Sequence, residues 1–164
     1  MKTYKLLPVL ALVLSMGLTS CSTESVSDDI ESIEVPVAPQ AKQIEIEIME
    51  LINAHRITSG LNPLNDHVTV KAVAFTHTDY MIEEDNVSHD NFFLRQQSLQ
   101  DNANANIVSE NVAYGFNSAE AVVNAWLNSP SHRETIEGNF TDFDISAEQN
   151  NEGRWYFTNI FIKR

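Results

Sequence analysis

From about residue 42 onward, apolar positions recur at helical spacing. Ile44, Ile48, Leu51, Ile52 and His55 fall three or four residues apart, and Gly60 with Asn62-Pro63 ends the run. The spacing predicts a first helix over about 42–58, with His55 at the edge of its apolar stripe. Val70, Val73, Ala74, His77 and Met81 mark one face of a second helix, about 68–83. This places His77 in or beside the core, as a hydrogen-bonded packing residue. Between 84 and 106 the chain is polar, with Asn102-Ala103-Asn104-Ala105-Asn106 near the end, and reads as a long loop or irregular turns. Ser118 suits the N-cap of a third helix, whose stripe is Ala119, Val122, Val123, Trp126 and Leu127. Ser129-Pro130 ends it and opens a short fourth helix, where Ser131 and Glu134 fit a capping box.

After Gly138 the period changes to two: Phe143, Ile145 and Ala147 alternate with Asp142, Asp144 and Ser146. The turn from Gln149 to Gly153 leads into 155–162, rich in aromatic and β-branched residues, so a terminal hairpin is expected. A further short strand fits 107–112. Helices flanking a small antiparallel sheet define an α+β layered domain, with Trp126 and Trp155 in its core.

The N-terminus changes the picture of where this domain resides. Lys2 and Lys5 precede an apolar run from Leu6 to Leu18, long enough for a secretory leader and too short for a membrane span. The following Leu18-Thr19-Ser20-Cys21 looks like a lipobox, so residues 1–20 are expected to be removed and Cys21 to carry lipid. More than one acyl chain there would hold the protein stably on a membrane. Cys21 is the only cysteine, so stability is expected to come from packing without disulfides. Residues 21–41, rich in Ser, Glu, Asp, Val and Pro, read as an extended tether, leaving 42–164 as one domain. Without the leader, eight basic residues face 23 acidic ones, a formal charge of −15. Such a surface excludes nucleic acid as a partner.

Six segments then stand in one order. They are Leu51-Ile52-Asn53-Ala54-His55-Arg56 with Gly60-Leu61-Asn62-Pro63-Leu64; His77-Thr78-Asp79-Tyr80-Met81; Val87-Ser88-His89; Ser109-Glu110-Asn111-Val112-Ala113-Tyr114-Gly115; Trp126-Leu127-Asn128-Ser129-Pro130-Ser131-His132-Arg133; and Tyr156-Phe157-Thr158-Asn159-Ile160-Phe161. Each alone is weak, but together the series resembles the bacterial branch of the CAP family, the cysteine-rich secretory, antigen 5 and pathogenesis-related proteins that share the SCP domain. The resemblance implies a three-layer α-β-α sandwich. It also implies a cleft lined by two histidines and usually two glutamates, which map to His89, His132 and Glu110. The second glutamate's position holds Ser129.

Two imidazoles and a carboxylate can bind a divalent metal such as zinc through His89 and His132, or form a hydrogen-bonded cluster without metal. A hydrolytic reading gives Glu110 or His132 the role of general base, or makes Ser129 and Ser131 nucleophiles. Both serines also have an explanation as helix caps. Asn111 is expected to fix the local backbone, and Ser109 stands where the family often has glycine, a position of concern if it requires positive φ. Two functions follow. One is a binding module at the bacterial cell envelope, facing periplasm or exterior, with a small apolar, glycan or peptide ligand in the cleft. The alternative is a metal-assisted hydrolase acting on envelope polymers or peptides.

Overall fold

The computed structural model describes residues 34–164. The leader, Cys21 and the first part of the expected tether lie outside the described residues. Nine elements follow in the order α1 (Gln43–Thr58), β1 (Asn65–Asp66), α2 (Val68–Glu83), α3 (Phe92–Ala103), β2 (Ile107–Tyr114), α4 (Ala119–Asn128), α5 (Pro130–Ile136), β3 (Asp142–Gln149) and β4 (Trp155–Lys163). The strands form one sheet in the order β1-β3-β4-β2. Five helices therefore pack around a four-stranded sheet as a three-layer α-β-α sandwich.

The strand pattern separates two cores. Phe143, Ile145, Ala147, Phe157 and Phe161 turn to one face, where they meet Ile48 and Ile52 of α1, Val122, Val123 and Trp126 of α4 and Ile136 of α5. Ile160, Ile162 and Val108 turn to the other face, against Val70, Val73 and Ala74 of α2 and Leu99 and Ala103 of α3. Fully burying each large aliphatic or aromatic side chain contributes about 1.5–3 kcal/mol, which suits a domain without disulfide support. Trp126 is buried and also donates its indole N–H to the Val112 carbonyl (3.1 Å), tying α4 to the sheet. Trp155 is half-buried against the first core.

The structure departs from the sequence expectations at several points. The stretch 84–106 is no simple loop, because α3 occupies its second half. Asn91 and Asn104 bound that helix with left-handed φ of 59° and 55°, conformations that asparagine tolerates better than most residues. The sheet is mixed, since β1 pairs parallel with β3 while β3–β4 and β2–β4 are antiparallel. The polar alternants of β3 are not exposed, because α2 covers that face and buries Asp142, Asp144 and Ser146. Ser129, not Ser131, is the N-cap of α5, and its side chain makes no capping hydrogen bond, so the box with Glu134 does not form. Ser109 lies within β2 and has no positive φ. Residues 34–41 carry no regular structure, yet Val35 packs against the second core, so this part of the expected tether lies on the domain.

Candidate functional site

β2 is bonded to β4 on one side only, so its other edge is a border of the sheet. There Glu110 faces the α2–α3 layer and is 9 % exposed. A buried carboxylate demands a counter-charge, and α3 supplies it. Arg95 Nε donates to Glu110 Oε2 (2.7 Å) and Nη2 to Oε1 (2.7 Å), a bidentate pair, while Nη1 donates to the Asp90 carbonyl (2.6 Å). His89, just before α3, adds a further bond from Nδ1 to Glu110 Oε1 (2.9 Å). Because a carboxylate only accepts, that bond places the proton on Nδ1. His89 Nε2 has no hydrogen bond among the described residues, and the side chain is 53 % exposed. Burial works to raise the Glu110 pKa, but hydrogen bonds from His89 and Arg95 and the guanidinium charge together hold it below the usual carboxylate range.

His77 stands behind the cluster, its Nε2 donating to the Ser88 carbonyl (2.8 Å) and lying 3.8 Å from Glu110 Oε1. Burial pushes its pKa down, so the ring is a neutral buttress at physiological pH. The expectation of a packing histidine describes its contacts, and its nearness to Glu110 is what spacing alone did not show. His132 lies on α5, whose start is tied to β2 by Asn111 Nδ2 donating to the His132 carbonyl (3.0 Å). Its pKa is lowered by burial and then by the nearby His89, which places the two imidazoles within electrostatic reach.

A cleft of about 270 Å³ runs between these elements, lined by His89, Phe92, Val108, Ser109, Glu110 and Thr135. Ser129 and His132 are not among its lining residues. Ser129 Oγ is 3.5 Å from Ser131 Oγ, and neither hydroxyl bonds a histidine. A serine–histidine contact among the described residues, Ser59 Oγ to His55 Nε2 (3.5 Å), sits at the end of α1. The same Nε2 contacts Glu137 (2.8 Å). A nucleophile relay needs one partner on each ring nitrogen, so this is no triad. Arg95 was missed by sequence reasoning because it fell in the presumed loop. Phe92, Leu99 and Ala103, spaced seven and four apart, carried the signal of a helix there.

The sequence expects a metal on His89 and His132, with Glu110 free to orient a histidine. Arg95 engages both Glu110 oxygens and His89 Nδ1 donates to one of them, so the carboxylate orients His89 and leaves its Nε2 as the nitrogen a metal would take. Among the described residues, no three His, Cys, Asp or Glu side chains are disposed to hold an ion.

A four-stranded mixed sheet between two helical layers, with a His/Glu cluster on its β2 edge, defines the class of an SCP-type domain. Residues 49–161 match the cysteine-rich secretory protein family, CAP, and the chain belongs to that family. It is 32 % identical over 126 residues to the uncharacterized membrane protein YlbC of Bacillus subtilis, covering 73 % of this chain and 34 % of that one. It is 31 % identical over 107 residues to the uncharacterized protein YkwD of the same species, covering 62 % and 41 %. The chain thus spans well under half of either curated relative. Among solved structures, an outer surface protein of Borrelia burgdorferi superposes with a TM-score of 0.67 at 24 % identity, over 79 % of this chain and 99 % of that one. An extracellular SCP-domain protein of Bacillus anthracis gives 0.64 at 26 %, over 73 % and 40 %.

Proposed function

We propose that this protein is a binding module of the bacterial cell envelope, held to a membrane through lipid on Cys21, and that the β2-edge cleft takes a short stretch of a cell-wall glycan or its peptide. Similarity to outer-surface, extracellular and membrane proteins supports an extracytoplasmic site. The observation that carries the binding reading is how Glu110 is held. A general base must reach the substrate's proton with a pKa near the working pH, and here the carboxylate is buried, accepts three hydrogen bonds from Arg95 and His89 and is held below the usual carboxylate range. The cluster serves instead as a charge-balanced support that presents His89 Nε2 outward. The lining suits a ligand with both polar and apolar parts, as a sugar or a peptide has: Ser109, Thr135 and His89 supply hydrogen-bonding groups, and Phe92 and Val108 supply apolar surface. About 270 Å³ suits one or two sugar or amino-acid units.

Co-sedimentation of the full chain with purified peptidoglycan sacculi tests this. His89→Ala and Thr135→Val should each weaken sedimentation about tenfold, the loss of one or two hydrogen bonds, whereas His55→Ala should not. Sacculi stripped of their stem peptides separate glycan from peptide as the bound part. Sedimentation unaffected by either cleft variant would refute the assignment.

A further inference from the structure

Four carboxyls are buried among the described residues: Glu45, Glu110, Asp142 and Asp144. Three have a cation. Glu45 pairs with Lys71 (2.5 Å), Glu110 with Arg95 (2.7 Å) and Asp142 with Arg164 (2.8 Å). Asp144, 8 % exposed, pairs with no cation among the described residues and accepts only two backbone N–H groups, from Ile145 (2.9 Å) and His67 (3.3 Å). Burying a charge without a counter-charge is costly, and natural domains pair such groups. The exception calls for a reason.

Asp144 lines a groove of about 700 Å³ at the β1 edge, the edge of the sheet opposite that of the His89 cleft. The groove is built largely from a second apolar stripe on α1. Ile48 and Ile52 cover the core, yet Ile46, Met49 and Ile57 form another row, with Ile46 41 % and Ile57 58 % exposed. Val68, 71 % exposed, lies on the α2 side, and Ala38-Pro39 form the outer wall. Glu50 and Asp66 add negative charge. Lys71 is the one cation among the lining residues, and its ammonium is committed to Glu45 and to the Ile145 carbonyl (2.7 Å). An apolar trough that ends on an unpaired carboxylate, with acids beside it and its lysine already engaged, is complementary to a molecule with an apolar body and one positive head.

We propose that this groove is a second ligand site and that it takes an amphiphilic primary amine, its ammonium against Asp144 and its apolar body along Ile46, Met49, Ile57 and Val68. A bare metal ion fits poorly, since among the described residues no three ligating side chains converge there. The site is independent of the β2-edge cleft and does not rest on it. Burial, the largest influence on Asp144, raises its pKa to about 6 against its two backbone hydrogen bonds and the charge of Lys71, which acts on it without pairing, so at neutral pH it is mostly ionised and ready for a cation.

Calorimetric titration of the full chain near pH 7.5, about 1.5 units above that value, with octylammonium, octanol and octanoate reads the proposal directly. Octylammonium should bind at least about tenfold more tightly than octanol, and octanoate more weakly than both. Asp144→Asn should bring octylammonium down to the level of octanol without weakening octanol, and Ile57→Ser should weaken both. His89→Ala should change none of them, which separates this site from the cleft. If Asp144→Asn does not fold, carbon-detected titration of the native carboxyls gives the same answer. Saturating octylammonium should lower the Asp144 midpoint and octanol should not, with Glu50, Asp66, His67 and Lys71 followed as the other titrating groups around it. Equal binding of octylammonium and octanol, or an Asp144 midpoint that octylammonium leaves in place, would overturn the proposal.

Discussion

Arg95 decides what Glu110 can be. With the guanidinium present, the carboxylate is charged, bidentately held and fully balanced, although it is almost out of water. Arg95→Met keeps much of the side chain's bulk but strands that charge, so unfolding in urea should show a loss of about 3–5 kcal/mol at neutral pH. The effect depends on pH in a defined direction. The folded Glu110 pKa lies below its ordinary value of 4.5, so its stabilisation is complete above that value and is lost as pH falls through the depressed one. The native chain should therefore lose stability below about pH 4.5. Arg95→Met should narrow its deficit there, because a protonated Glu110 no longer needs the cation. A deficit that is the same at acid and neutral pH would show that Arg95 acts by packing alone.

Among the elements, the helix caps show what local sequence governs. Ser118 Oγ accepts from Ala121 N–H (3.2 Å) at the start of α4, and Ser118→Ala should cost about 1 kcal/mol. Ser129 precedes α5 without a capping bond, its hydroxyl turned instead toward that of Ser131. Ser129→Ala should then cost under about 0.5 kcal/mol. Thermal unfolding of the two variants side by side checks the contrast, and equal losses would contradict it. The same reasoning explains which elements were legible. α1, α2, α4 and the β3–β4 hairpin carry long, regular stripes that periodicity finds. α3 does not, since only Phe92, Leu99 and Ala103 of its apolar face reach the second core and its buried Arg95 reads as a surface residue. β1 is two residues long and has no period to detect.

For the whole molecule, the two edges of the sheet carry cavities of different character: a small cleft beside His89 and Glu110 at the β2 edge and an apolar, acidic groove at the β1 edge. His89 and Glu110 were visible as members of matching segments, and they meet at 2.9 Å. The resemblance also placed Ser129 and His132 in the cleft: they start the helix whose Thr135 lines the cavity beside Glu110, and His132 stands within electrostatic reach of His89. Partners such as Arg95 and His77 were not legible as site residues. Their meaning comes from burial beside one carboxylate, which the chain creates only after α2, α3 and β2 have packed. The central claim is that the cleft holds a cell-wall polymer without cutting it. Its most direct test is the release of soluble fragments from sacculi by the native chain, with and without added zinc, measured as new reducing ends and free amines while bound protein is followed in the pellet. Binding with no release above the protein-free blank is the predicted result. Fragment release that disappears in Glu110→Gln, while that variant still folds and sediments, would contradict the account and establish a hydrolase.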